Sequence, residues 1–441
     1  MRLFFVFFIF ALLQSCSFDN KSGIWKNINE KTANKEKLPK DFKKLTSKTE
    51  SFNKIIPFSG KHKFNLSKPI NNFKWTDIFY DQTNSLSNFQ YNNINKISFR
   101  SKKLSRNNID QSIIFENSNL ISSDEKGNLL IFSINQNRIF KRFNFYKKKF
   151  KNIKKKLNII VEDKIIYVSD NLGYLYAYNY SKDEVLWAKN YKVPFQSNLK
   201  IIKNNLIAAN QNNTLYFFNK KNGDIIKFIP TEENRLKNNF INNLSADSNN
   251  LYFLNNYGSL YAVNNKSLRI RWFLNLNQST DLTPSNLFNG KEIISNKRYV
   301  IVTTNNFTYI LNKSDGSIIF KKNFAAKIKL LINKENLFLI TKQNLLICMD
   351  LKNGKIIYSY NINQKIADFL NTKKKSAQFK DIMIVNSSLF IFLKNSYILK
   401  FNINGNLDEV DKLPTNIYSN PIFIEKHLLF VDTKNRISII N

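Results

Sequence analysis

The chain has 441 residues, 43% of them hydrophobic and 23% charged, enough apolar material for a large core and too much for wholesale disorder. Two Cys and two His exclude a disulfide scaffold, a zinc cluster and most Ser–His chemistry. The net charge of +36 comes from lysines spread along the whole chain among about 70 Asn, with no basic helix or aromatic RNA-binding motif, so it reads as compositional bias and no nucleic-acid partner is expected.

The N-terminus has one positive charge at Arg2, an apolar run from Leu3 to Leu13, and then Gln14-Ser15-Cys16. This is the layout of a secretory signal, and the run is too short for a good membrane span. The Cys directly after it makes the segment resemble a bacterial lipoprotein signal. Residues 1–15 are then the signal and Cys16 the acylated residue; multiple acyl chains anchor stably where one would not. Ser17 after that Cys favours the outer membrane, periplasmic face. Cys348 is left alone in the apolar run Leu345-Leu346-Ile347-Cys348-Met349, where a buried, inert thiol is expected. Residues 16–68, after the lipidated Cys, are rich in Lys and Ser and read as a flexible tether.

From about residue 113 one pattern recurs. An apolar strand and a turn lead into Gly/Asn-x-Leu-Tyr-Ala-apolar-Asn, followed by an Asn/Lys/Gly turn and a strand with an aromatic. Gly173-Tyr174-Leu175-Tyr176-Ala177-Tyr178-Asn179 and Gly258-Ser259-Leu260-Tyr261-Ala262-Val263-Asn264 are the clearest copies, with Asn213 to Asn219 a third. Weaker copies centre on Leu129, Thr308, Leu346, Ile398 and Ile437. The mean spacing of about 44 residues is that of four-stranded propeller blades. Asn213 and Asn344 stand where other copies have Gly, and Asn tolerates the left-handed conformation.

The last strand of each repeat carries an aromatic at one slot: Trp187, Trp272, Phe320, Tyr358 and, loosely, Phe140. Lys227 and Glu409 occupy it in two repeats. A large ring there fills the gap between splaying blades. The final repeat ends at Asn441 without its fourth strand, and Phe73-Lys74-Trp75 offers an unpaired strand with Trp75 for the missing slot. The expected fold is therefore all-β, an eight-bladed propeller over 69–441 closed by an N-terminal strand, which removes free sheet edges.

The repeat resembles the pyrroloquinoline-quinone-type propeller repeat, and with the lipoprotein signal the chain resembles the BamB family of outer-membrane assembly factors. Phe64-Asn65-Leu66-Ser67-Lys68-Pro69 followed by Trp75 is similar to the family's entry segment, without the Gly pair usual after that Trp. Ser279 to Pro284 is similar to a blade-start segment of alphaproteobacterial relatives. The resemblance implies a non-enzymatic, monomeric scaffold that binds the POTRA domains of BamA and other components of the assembly complex, and assists insertion of β-barrel proteins. It also implies a contact loop. Thr231-Glu232-Glu233-Asn234-Arg235-Leu236 matches the family's stretch, which puts Glu232, Arg235 and Leu236 at the partner; the acids that follow in the family are Lys237, Asn238 and Asn239 here.

Two other readings remain open. A quinoprotein-type dehydrogenase would use a Ca²⁺ site, a catalytic acid and usually adjacent Cys residues; this chain has no Cys pair, and its acids Asp170, Asp247 and Asp381 are isolated. No nucleotide, hydrolase or metalloprotease motif is present, so no cofactor, metal or small-molecule substrate is expected. A propeller that binds anionic lipid or another envelope protein is the other reading, with Lys147 to Lys156 its densest basic run.

Overall fold

Runs of Ile, Leu, Phe and Tyr between turns of Asn, Asp and Gly favour antiparallel strands, and sheets dominate the chain. The computed structural model describes residues 16–18, 25–27, 51–233, 241–277 and 288–441. It divides into two units, 1–49 and 50–441. In the first, Cys16–Phe18 pairs antiparallel with Trp25–Asn27. The second is an eight-bladed propeller.

Blades 1 to 7 span 114–144, 157–190, 200–229, 243–275, 294–322, 331–361 and 379–412, each with its four strands in chain order. Blade 8 takes three strands from 422–440 and its fourth from Ile97–Arg100. First strands of neighbouring blades touch and line the axis. Fourth strands form the rim, most of their residues exposed or half-buried. All eight copies of the Leu-Tyr-Ala pattern fall on third strands. Asn213 and Asn344 adopt φ of 62° and 63°, so Asn does take the left-handed turn position. Among the described residues one α-helix, Ile362–Phe369, sits in the link between blades 6 and 7, capped by the Asn361 side chain accepting from Gln364 N at 3.2 Å.

Closure by an N-terminal strand is present, but the strand is Ile97–Arg100 rather than 71–76. It pairs antiparallel with Ile437–Ile440, joining Ile97 to Ile440 and Phe99 to Ile439. Every blade has a one-residue bulge between its third and fourth strands. The residue just after the bulge fills the inter-blade slot. Trp187, Trp272, Phe320 and Tyr358 all stand there. Phe140 does not: it is the bulged residue of blade 1 and 36% exposed. The slot belongs to Lys141, whose ammonium pairs with Asp183 of blade 2 at 2.6 Å. In blade 8 the slot residue is Phe99, whose ring packs 6.1 Å from Phe132 of blade 1.

Slot rings press on the third-to-fourth turn of the next blade. A Cβ on Gly223 or Gly316 would lie 2.5 Å from the ring of Trp187 or Trp272, and both glycines have φ of 75°. Only Gly permits both that backbone and that approach. The indole N–H of Trp187 donates to Lys220 O at 2.9 Å, and that of Trp272 to Lys313 O at 3.2 Å. Where the slot holds Lys141, the corresponding turn holds Asp183 instead of Gly, so ring-on-glycine is exchanged for charge-on-charge.

Residues 51–68, assigned to the tether from sequence, lie against blades 5 and 6. Phe52 N donates to Asn323 O, Phe58 N to the Tyr360 hydroxyl and Ser67 N to Asn333 Oδ1. The segment that follows enters the axis. Asn72 Nδ2 donates to Phe423 O of blade 8, and Trp75 exchanges backbone hydrogen bonds with Phe115 of blade 1. Val161 N of blade 2 donates to Thr76 O, and Gln82 Nε2 donates to Ile201 O of blade 3. Ala246 N of blade 4 and Ser295 N of blade 5 donate to Gln82 O and Thr83 O. Asn88–Phe89 then pairs parallel with Ile384–Val385 of blade 7. Residues 67–91 thus plug one mouth of the axis by satisfying inner-strand backbone groups all around it. Trp75 is 3% exposed within this plug, packed at a tilt against the rings of Tyr80 and Phe89, and is not a rim slot residue.

The plug is tied down by a buried ion pair. Lys200 in the inner strand of blade 3 is fully buried, with Nζ 2.6 Å from Asp77 Oδ2, 2.6 Å from Asn84 Oδ1 and 2.9 Å from Asp81 O. All three ammonium protons find acceptors, the condition under which a buried charge is tolerated.

Candidate partner-binding loop

The link from blade 3 to blade 4 leaves after Ile225–Ile229 and returns at Asn243–Ala246. Both feet are fixed. At the departing foot, Thr231 Oγ1 donates to Asn213 O at 2.7 Å and Asn213 Nδ2 donates to Glu232 O at 2.7 Å. At the returning foot, Asn242 N donates to Gln196 O and Asn242 Nδ2 to Asn210 O, both at 2.9 Å.

Glu232 turns inward. Its carboxylate accepts from Ser259 Oγ at 2.9 Å, Asn255 Nδ2 at 3.1 Å and the Tyr261 hydroxyl at 2.6 Å, all on blade 4. Burial pushes its carboxyl upward, but these donors outweigh it and hold the group below the usual carboxylate range. Burial, with the neighbouring Glu232 carboxylate, raises the Tyr261 phenol. A depressed carboxyl contributes stability that is complete at neutral pH and is lost only as pH falls through its folded value. Glu232 therefore clamps the foot of the loop to the next blade. Arg235 and Leu236 lie outside the described residues, as do Lys237, Asn238 and Asn239, and so does the stretch Ser279 to Pro284.

The remaining acids named from sequence are each partnered. Asp170 Oδ1 accepts from Leu172 N and Tyr174 N, an Asx turn at 2.8 Å each. Asp247 pairs with Lys313 at 2.9 Å, and Asp381 with Lys329 at 2.7 Å. No group of three His, Cys, Asp or Glu with metal-holding geometry occurs among the described residues. Cys348 is buried, and burial pushes its thiol well above the ordinary range. The basic run includes the short turn Lys148–Phe150, and Lys154 in it pairs with Glu125 at 3.2 Å.

Sequence reasoning missed the axial plug and Lys200. A signal for the latter exists: Lys200 interrupts the apolar run Leu199 to Ile202 at a position a strand turns inward.

No curated protein sequence matches the chain. Among solved structures, BamB from Moraxella catarrhalis is similar with a TM-score of 0.62 and 10% identity, over 78% of this chain and 99% of that one. The quinohemoprotein alcohol dehydrogenase from Comamonas testosteroni is similar with a TM-score of 0.61 and 9% identity, over 83% and 80%. The computationally designed Ika8 protein has a TM-score of 0.56 at 10% identity. Such low identities establish the fold alone. A sequence model of the family described as outer membrane protein assembly factor BamB matches residues 125–360, which cover blades 2 to 6 and more than half of the chain. With the repeat and the propeller in agreement with that match, the chain belongs to the BamB family.

Proposed function

We propose that this protein is a non-catalytic scaffold lipoprotein of the outer-membrane β-barrel assembly complex, held at the periplasmic face and binding the POTRA domains of BamA. Family membership carries the reading. The doubly footed loop 231–242 supports its location, because inter-element loops on a rigid scaffold are where recognition is carried. The dehydrogenase-like neighbours share the fold, but this chain's only Cys are Cys16 and Cys348, so no adjacent pair can lie over an axial cofactor.

In the loop, Arg235 provides a planar charged fork and Leu236 an apolar contact. Replacing both, Arg235→Glu with Leu236→Ala, is expected to weaken binding to purified BamA POTRA domains at least tenfold, about 1.4 kcal/mol. The melting temperature should not move, because the feet at Thr231, Glu232 and Asn242 are untouched. Unchanged affinity in a titration, with the fold intact by circular dichroism, removes this loop from the interface.

Anchoring rests on Leu13-Gln14-Ser15-Cys16. Intact-mass measurement of the mature protein from membranes is expected to show acyl chains on an N-terminal Cys16, and Cys16→Ser to release the protein or leave it unprocessed. A mature N-terminus without acyl mass ends the anchor proposal.

A further inference from the structure

The propeller axis is blind. The plug closes one mouth, and the other opens into a cavity of about 220 Å³ whose floor includes Trp75, Ile78 and Phe79. The wall includes the starts of the inner strands and their lead-in residues in blades 5 to 8. Four lysines face it, Lys291, Lys327, Lys329 and Lys380, against two carboxyls, Glu292 and Asp381.

The charges are not balanced. Lys329 is taken by Asp381, which is itself 3% exposed. Among the described residues, Lys327 Nζ donates to Asn344 Oδ1 at 2.6 Å and lies 5.1 Å over the Phe379 ring. Lys380 Nζ donates to Tyr418 O at 2.6 Å. Both oxygens are neutral. Burial lowers the pKa of both ammonium groups; the charge of Lys394 adds to this at Lys327, while at Lys380 the Asp381 carboxylate pulls the other way more strongly than Lys394 pushes, without cancelling the burial. Half-buried cations with neutral partners carry a standing electrostatic cost that a bound anion would relieve. Glu292 adds the opposite need: its Oε2 is buried and has no hydrogen-bond partner among the described residues. A buried acceptor left unmade costs stability until a donor arrives.

We propose that the open axial cavity binds a small phosphate or carboxylate anion bearing a neighbouring hydroxyl. The anion sits among Lys291, Lys327 and Lys380, the hydroxyl donates to Glu292, and the carbon body rests on Trp75 and Phe79. This site is independent of the partner loop, which lies in a different inter-blade link. The chemistry occurs both in free phosphate esters and in the headgroup of a glycerol phospholipid.

The test uses calorimetry on the folded protein with inorganic phosphate, with glycerol 3-phosphate, and with vesicles of phosphatidylcholine with or without phosphatidylglycerol. Glycerol 3-phosphate is expected to bind one-to-one and more tightly than inorganic phosphate. Binding confined to the phosphatidylglycerol vesicles would identify the lipid headgroup as the source. In either arm, Lys327→Gln with Lys380→Gln should weaken binding at least tenfold, while the exposed Lys355→Gln, which removes an equal charge per site outside the cavity, should not. Glu292→Ala should abolish the preference for glycerol 3-phosphate over phosphate. The ligand-free double variant should melt no lower than the parent, since Gln amides can still donate to Asn344 Oδ1 and Tyr418 O while the half-buried charge is removed; a lower melting point would make the lysines structural and overturn the proposal. So would absence of binding in all arms, or equal loss with Lys355→Gln.

Discussion

Deleting Ile97–Arg100 is expected to abolish recovery of soluble monomer. The deletion strips blade 8 of its fourth strand, exposes the backbone edge of Ile437–Ile440, and removes Phe99 from its contact with Phe132 of blade 1. An exposed apolar edge is a template for pairing with another chain. The milder Phe99→Ala keeps the strand but empties the slot. A fully buried Phe costs about 3 to 5 kcal/mol on truncation, and half-buried Phe99 should cost about 2 to 3 kcal/mol, a drop of about 2 to 4 °C in melting temperature. Phe140→Ala is the matched control, the same truncation at an exposed bulge, and should stay within about 0.5 kcal/mol. If size-exclusion chromatography shows a normal monomer after the deletion, or the two Ala variants melt alike, the ring is not held by this strand.

Lys200→Met is expected to be the most damaging single substitution in the core. It leaves the Asp77 carboxylate, 3% exposed, without its cation, and strands Asn84 Oδ1 and Asp81 O. Removing one partner of a buried pair costs about 3 to 5 kcal/mol because the other charge stays behind. Adding Asp77→Asn to Lys200→Met should recover part of the loss, giving a double variant less damaged than the sum of the singles. Denaturant midpoints read the cycle. A loss under about 0.5 kcal/mol for Lys200→Met, or strict additivity, would mean that the pair does not hold the plug.

Legibility followed the kind of force at work. The blade count came from the sequence because third strands are buried on both faces and repeat an apolar signature at a fixed period. The rings at Trp187, Trp272, Phe320 and Tyr358 were readable because a Gly four residues earlier, or the repeat alone, fixes their register. Phe140 was misplaced by one residue: the bulge inserts a position, and in blade 1 the ring falls on the bulge while Lys141 takes the slot. Closure was assigned to Trp75 because Phe73-Lys74-Trp75 and Ile97-Ser98-Phe99 show the same alternation, and the larger ring drew the assignment. What separates them is tertiary: residues 67–91 bind inner-strand carbonyls and amides, and backbone groups carry no sequence signature. The contact loop was visible as a motif, yet the inward turn of Glu232 depends on Ser259 and Tyr261, nearly thirty residues away.

The split composition of blade 8 also sets an order of events. Ile97 is synthesised some 340 residues before Ile440, its partner. Seven blades can form by local hairpin pairing as the chain lengthens, but the eighth cannot begin to close until the last residues exist. Its search spans nearly the whole chain, the kind of long-range pairing that slows folding. Until then a nearly complete ring carries two unsatisfied sheet edges, one at Ile97–Arg100 and one at Ile437–Ile440. The nascent protein is thus most prone to mispairing at the moment it is almost finished, and losing either Ile97–Arg100 or Ile437–Ile440 leaves it there.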